Sequence, residues 1–585
     1  MRQKVNKSFA AVAFTFLMVV LFTHILGNVN AFADEEETPD TEVSSKYYFV
    51  KDSKILYVGW KSYFSVVAGT GEKATISYRS DNKKIATVTK EGEIIPVSKG
   101  LTMIYADVTE DGVTSSCSME ITVREPYSKV TASTSAMTLD SDFVFELKRY
   151  GHNSPVSWEL IGKDYASIEA VSATDCKIHT LAPGTVKLVA KCGNEKFSFD
   201  IKIYDGKGEL FVISPNSKPY NNYYINNSTY NSKTKGYYLL RSYLERLDTL
   251  KGGVLVLQKG TYVVTNTLCI PSNTTIVLED GAIVRKSDDT GTEALPPNAS
   301  LFQTVSYSNA AIEGVFSKYD GEHDIKILGE GKAYIDVNNL ICQGLAICHC
   351  QRVTVSGITF INMNTYHFIE LDASKNVYIK NNYFFGCTAS SSLKKEAINI
   401  DTPDLATHGF TQNWTSFDKT PVLDVYITDN LFYDVECGIG THKYSDSSPH
   451  KNVNILRNTF INCHTYFIRA MNWETPVIKD NNFVLTEVPN KEKIMIILNG
   501  AINPLITDNR FENAYTPVSF YHWRNTGYGS EYPPVYNKLD SSYAAALKNN
   551  YLVNVLNAYY EYYDILDDFH EDSLHIYPID GYSQS

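Results

Sequence analysis

The sequence predicts an all-β chain: two short β-sandwiches, then a right-handed parallel β-helix whose first coil is closed by an amphipathic helix. Three observations carry this. First, the motif Asn-x-Phe recurs as Asn382/Phe384, Asn430/Phe432, Asn458/Phe460, Asn481/Phe483 and Asn509/Phe511, with Gly357-Ile358-Thr359-Phe360 as a degenerate earlier copy. Second, each copy follows a strand-forming run: Val353–Val355, Val377–Ile379, Val425–Ile427, Val453–Ile455, Val477–Ile478 and Leu505–Ile506. Third, successive Phe residues lie 24, 48, 28, 23 and 28 residues apart. A period in the twenties, built of short strands with no helix between them, marks a coil-by-coil solenoid. Each coil then contributes one Phe to an internal stack and one Asn to the same turn. Those Asn side chains can hydrogen-bond from coil to coil, which makes them structural.

The remaining elements follow in chain order. Arg2, Lys4 and Lys7, an apolar run from Phe9 to Leu26 and the small-x-small site Ala31-Phe32-Ala33 read as an export signal over residues 1–33, with an uncleaved anchor as the alternative. Its removal takes three positive charges and no negative one from a chain of net charge −13. Residues 34–45 are acidic and polar and read as a disordered spacer. Residues 46–125 and 126–206 show short alternating strands punctuated by turn residues, one sandwich each. From 210 to 585 runs the β-helix with a C-terminal extension. At its entrance, residues 237–250 carry Leu240, Leu244 and Leu247 at helical spacing, which suits a cap over the open first coil.

Composition narrows the function classes. A chain of 585 residues exceeds one compact core. With 43% hydrophobic and 20% charged residues it is not a disordered chain. The negative balance and the lack of a basic stretch speak against nucleic acid as a partner. Ten Cys without a CxxC pair exclude a disulfide scaffold, a zinc ribbon and a thioredoxin-like site. Cys348 and Cys350 alternate along one strand, a metal or redox pair or two buried thiols.

The chemistry is sought on the strand that precedes each Asn-Val-x-Ile run: Ala346–Cys350, Phe368–Ala373, Ala397–Thr402, Gly438–Lys443, Phe467–Asn472 and Met495–Gly500. Alternation sends Ile369/Leu371, Ile398/Ile400, Ile439/Thr441, Ile468/Ala470 and Ile496/Leu498 inward. Two outward rows remain. One reads Glu370, Asn399, Gly440, Arg469, Ile497; the other reads His349, Asp372, Asp401, His442, Met471, Asn499. Coils stack about 4.8 Å apart, so Asp372 and Asp401 should share one solvent-facing groove with Glu370 and His442. Two carboxylates that close cannot both ionise freely, which readies one as acid and the other as base or nucleophile. Glu396, at the head of the Asp401 strand, is a further catalytic candidate. Arg469 is expected to hold a sugar hydroxyl or carboxylate. The 48-residue gap is one coil plus an insertion over 402–420, directly after Asp401, which brings His408 and Trp414. Trp414 and Trp473 are candidate sugar-stacking rings, or else pack that loop against the barrel. No resident metal or cofactor is expected, except Ca²⁺ if the carboxylates serve a lyase.

Three resemblances add to this reading. Ile85-Ala86-Thr87-Val88, Gly92, Val97-Ser98-Lys99-Gly100 and Ile104-Tyr105-Ala106 resemble the bacterial Ig-like group 2 domain over residues 46–124. Ala166-Ser167-Ile168 and Leu181-Ala182-Pro183-Gly184-Thr185-Val186 repeat that theme more weakly in a second Ig-like unit. Gly252–Leu257, Gly260-Thr261-Tyr262, Leu268–Asn273 and Ile276–Ala282 resemble the opening coils of the pectin-lyase-like β-helix superfamily. That superfamily holds lyases, hydrolases, epimerases, esterases and binding proteins, so the resemblance implies fold rather than reaction. Glu396–Asp404 and Gly438–Ser445 resemble polygalacturonase-type hydrolases, which implies a catalytic neighbourhood for Asp401 and His442. The paired-Asp motif of that family is absent, and its Gly-His-Gly is replaced by Gly-Ile-Gly-Thr-His. The expectation is a secreted or surface-held bacterial monomer acting on a polysaccharide or glycan, with the Ig-like units as spacers or cell-wall contacts. Glycoside hydrolysis is favoured; a Ca²⁺- or Arg-assisted lyase and a non-catalytic adhesin are the alternatives.

Overall fold

The structure is a computed structural model. It describes residues 46–51, 53–68, 73–387, 395–441, 443–487, 489, 493–524, 532–557, 559–566 and 570–578, the last two stretches by backbone alone. The export-signal and spacer readings fall on residues 1–45 and so lie outside the described residues, as does His442.

The chain divides into two compact units. In the first, strands Ser53–Tyr57, Val113–Arg124, Gly100–Glu110 and Thr75–Ser80 form one sheet, and Ser62–Tyr63, Glu93–Pro96 and Ala86–Val88 a second. The alternating apolar positions Ala86, Ile94, Ile104, Ala106, Met119 and Ile121 fill the space between them.

The second unit joins another sandwich to the β-helix. Its sheets are Tyr127–Ala132/Asp142–Tyr150/Cys176–Thr180/Ala166–Ala170 and Ala136–Thr138/Glu195–Tyr204/Gly184–Cys192/Val156–Ile161. The sandwich is docked on the helix flank. The Tyr204 hydroxyl donates to Glu279 Oε1 at 2.6 Å, and Lys326 Nζ lies 2.8 Å from Asp205 Oδ1. Tyr204 also packs against Val254, Val256 and Val277. The sequence reading treats residues 126–206 as a separate module and has no means of seeing this contact.

The β-helix is a right-handed parallel coil of three sheets with 11, 10 and 11 strands. In each coil the chain passes through the first, second and third sheet in turn, as in Lys375–Lys380, Tyr383–Cys387 and Glu396–Asp401. Phe360, Phe384, Phe432, Phe460, Phe483 and Phe511 form one continuous stack with centroids 4.5–5.0 Å apart. Beside it each Asn side-chain amide donates to the next Asn Oδ1: Asn382 to Asn430 at 3.1 Å, Asn430 to Asn458 at 2.9 Å, Asn458 to Asn481 at 3.1 Å and Asn481 to Asn509 at 2.9 Å. Each Oδ1 also accepts from the backbone N–H of the ladder Asn one coil earlier, which satisfies a turn group buried away from water. The ladder runs one coil past the visible motif, from Asn509 to Asn550 at 2.9 Å, where Leu552 stands in the Phe position.

The helix over Lys235–Leu250 closes the first coil, with Leu240, Leu244 and Leu247 buried in the main core. It begins two residues before the predicted 237. Gly236 explains how close it comes: a Cβ there would stand 2.2 Å from Val263 O, so only glycine lets the helix seat on strand Gly260–Val264.

Candidate active site

The third sheet carries the candidate site residues, and its register follows the sequence reading. Asp372 pairs with Asp401, Glu370 with Asn399, Gly440 with Arg469 and Met471 with Asn499. Ile369, Leu371, Ile398, Ile400, Ile439, Ile468 and Leu498 belong to the interior core. One position is corrected. Ala346 pairs with Glu370 and Ile347 with Leu371, which sets Cys348, not His349, level with Asp372. His349 leaves the strand in a left-handed conformation, φ 57°. Its ring nitrogens reach Lys318 O at 2.7 Å and Thr415 Oγ1 at 2.5 Å, and burial holds it below the usual histidine range.

The expectation of a solvent-facing carboxylate groove is also corrected. Glu370, Asp372, Glu396 and Asp401 are 1%, 0%, 0% and 1% exposed. Two segments cover them. The insertion 402–420 runs beside the Tyr307–Lys318 stretch, joined by Gly314 N to Asn413 O at 2.8 Å, Phe316 N to Trp414 O at 3.1 Å and Ser416 N to Phe316 O at 2.9 Å. Phe316, Phe410 and Trp414 then pack with Ala346, Cys348 and Ala373 as a second apolar cluster on the outer face of the sheet. Gly409 sits directly over the site: a Cβ on it would stand 3.3 Å from Asp401 Oδ2. Farther out, Tyr532 OH and Ser445 Oγ donate to Asp404 Oδ2 at 2.7 and 2.6 Å and tie down the base of the insertion.

Under this cover the side chains form one network. The Asn399 amide donates to Glu370 Oε1 at 2.9 Å and to Asp401 Oδ2 at 3.2 Å, so a single NH₂ group spans two carboxyls. Gln343 Nε2 reaches Glu370 Oε2 at 3.3 Å. His367 Nε2 is 3.6 Å from Glu370 Oε2, and its Nδ1 is 3.7 Å from Glu396 Oε2 and 2.7 Å from Glu396 O. Arg469, 7% exposed, faces Glu396 Oε1 at 4.0 Å and lies 5.9 Å from the Trp523 ring. Burial, then the charges of Asp372 and Asp401, push Glu370 well above the usual carboxyl range against the pull of the Asn399 bond. Burial and the Asp401 charge do the same to Asp372. Apart from the neighbouring Glu370 carboxyl, neither Asp372 oxygen meets a partner among the described residues. Asn499, 1% exposed in the same outward row, likewise holds an amide with no partner among them.

The other candidates fall elsewhere. Trp473 is fully buried in the interior core, its Nε1 donating to Thr441 Oγ1 at 2.9 Å, which leaves no ring face for a sugar. Trp414 is 2% exposed and donates to Gln303 Oε1 at 3.2 Å, so it pins the covering loop. Both correct the stacking expectation. His408 is exposed on the insertion, φ 56°. Sequence reasoning misses His367. Phe368 and Ile369 both face the core, which breaks the alternation at the strand start and turns His367 toward the acids. Gln343 carried no signal at all. A cleft of about 270 Å³ opens beside it, lined by Gln303, Gln343, Tyr366 and Gln412 among others. Ca²⁺ would need several oxygen ligands converging on one point. Among the described residues no group of three or more His, Cys, Asp or Glu side chains is so arranged, and the fit to that ion is poor.

No family model matches the chain, and no curated protein matches it. Among solved structures, the surface adhesin PfbA of Streptococcus pneumoniae is 18% identical over 60% of this chain and 92% of its own, with a TM-score of 0.42. A family 28 exopolygalacturonase of Yersinia enterocolitica is 11% identical over 73% of this chain and 97% of its own, with a TM-score of 0.33. Domains 4 and 5 of the S-layer protein SbsC are 14% identical over 27% of this chain and 98% of their own, with a TM-score of 0.21. Likenesses this distant carry no chemistry to the site, which stands on its own side-chain geometry.

Proposed function

We propose that the chain is an exported bacterial glycoside hydrolase that cleaves a polysaccharide with the carboxyls of its third sheet, and that its Ig-like units are spacers or cell-wall contacts of the group 2 type. The observation that carries this is the Asn399 amide shared by Glu370 and Asp401, with Asp372 in register beside Asp401. Burial, then the charge of the neighbouring carboxylates, raises Glu370 and Asp372 toward their protonated forms. A protonated carboxyl there gives its proton to the glycosidic oxygen as the C–O bond breaks. Asp401, fixed by Asn399, serves as the base that activates water or as the nucleophile at the anomeric carbon. The Asn499 amide is placed to take a sugar hydroxyl, and Arg469 and His367 orient Glu396. Substrate enters from the cleft beside Gln343.

A second reading has one observation of its own. The acids are covered, which suits a non-catalytic glycan-binding surface protein. A screen of polysaccharides for new reducing ends separates the two. Hydrolysis lost in Asp401→Asn supports the enzyme; binding on a glycan array with no reducing ends from any substrate supports the adhesin. Unsaturated, ultraviolet-absorbing products abolished by EDTA would point to a lyase instead.

A further inference from the structure

The leading edge of the third sheet forms one wall of the 270 Å³ cleft, and its lining climbs the helix coil by coil. Thr267 precedes strand Leu268–Cys269, Ser300 opens Ser300–Gln303, Gln343 opens Gln343–Ile347 and Tyr366 lies just before Ile369–Asp372. Consecutive rungs are about 4.8 Å apart, so these positions trace a groove parallel to the helix axis, and its Gln343 reaches Glu370 Oε2 at 3.3 Å. Gln412, from the covering insertion, forms another part of the wall. Two features of this groove matter. Among its described lining residues there is no Lys, Arg, His, Asp or Glu; the polar lining is amide, hydroxyl and phenol. It also holds an aromatic ring in reach of solvent, since Tyr366 is 40% exposed.

We infer that this groove binds a run of uncharged sugar units, and that the substrate is a neutral polysaccharide rather than a polyuronate. The inference rests on the hydrolase reading above and gives it a substrate class. Amides and hydroxyls both donate and accept, which matches sugar hydroxyls group for group. A ring face such as that of Tyr366 suits the apolar face of a pyranose. A polyuronate brings a carboxylate on every ring, and each must lose water on entry without a cation to meet it. Arg469, on the same sheet, already faces Glu396 at 4.0 Å. The whole chain carries −13, so a polyanion is repelled at long range.

The test uses the full chain on two panels: β-glucan, xylan, mannan and galactan against polygalacturonate and alginate, at low salt, with reducing-end release and calorimetric binding both measured. The expected result is cleavage of at least one neutral polymer, with kcat/KM on either polyuronate lower by roughly a hundredfold or more. Tyr366→Ala, at an exposed position outside the acid cluster, should raise KM for the neutral polymer about tenfold with kcat little changed. Preferential cleavage of a polyuronate would overturn the inference and leave the hydrolase reading intact. Binding of a neutral polymer, lost in Tyr366→Ala and without cleavage, would keep the groove assignment and end the hydrolase reading. Neither binding nor cleavage of any polymer on either panel would end both.

Discussion

Asp372 shows how a single buried carboxyl writes itself into the pH dependence of the protein. Its folded-state pKa lies well above its ordinary value of 3.8, so the native state holds a proton that the unfolded chain releases. Such a group lowers stability at neutral pH, and the penalty fades as pH falls through the ordinary carboxyl range. Asp372→Asn removes the group. The variant should be at least as stable as wild type at pH 7, and its advantage in Tm should shrink as pH is lowered toward 4. A variant that is less stable at pH 7 would contradict the protonated-pair account. At this scale the sequence was only partly legible. The rows Glu370–Asn399 and Asp372–Asp401 could be read from alternation, because inward Ile and Leu positions pin the register. His367 could not, because the alternation breaks at Phe368. The burial of the acids could not either, because the covering comes from Phe316, on a stretch of chain distant in sequence, and from Phe410, midway along the insertion.

Among the elements, the Asn ladder and the core strands make separable predictions. Asn458 donates its amide to Ile427 O at 2.8 Å and Asn481 Oδ1 at 3.1 Å, and its Oδ1 accepts the Asn430 N–H at 2.9 Å. Asn458→Ala removes these bonds and leaves buried backbone groups unmet, at a cost of about 2–4 kcal/mol in denaturant unfolding. Asn550→Ala, at the end of the ladder, should cost less. Ile400→Asp buries a charge between coils and should unfold the β-helix rather than disable the site. Trp473→Ala should cost about 3–5 kcal/mol as a core truncation. Trp414→Ala should instead free the insertion, read as faster proteolysis within 402–420 at a nearly unchanged Tm. Equal losses of Tm in the two Trp variants would contradict their assignment to the core and to the cover. The Asn-x-Phe repeat made this architecture readable because each copy satisfies the same turn and fills the same stack. The last ladder member, Asn550, escaped notice because Leu552 replaces the aromatic partner.

On the scale of the whole molecule, the second sandwich belongs with the β-helix, through Tyr204, Glu279, Lys326 and Asp205. A chain beginning at Ser128 should therefore keep the Tm of the β-helix, while one beginning at Leu210 should expose Val254, Val256 and Val277 and lose solubility. The strand-rich sandwich regions and the coil repeat show in strand and turn spacing. The docking was not, since it depends on which surfaces meet in space. The central claim is that the third-sheet carboxyls perform hydrolysis, and the most direct measurement is the turnover of Asp401→Asn on a polysaccharide that the wild type cleaves. Loss of about 10²–10⁴ in kcat, in a variant that still unfolds in one cooperative transition, is the predicted result, the scale for a positioned acid or base. Full turnover by Asp401→Asn would contradict it.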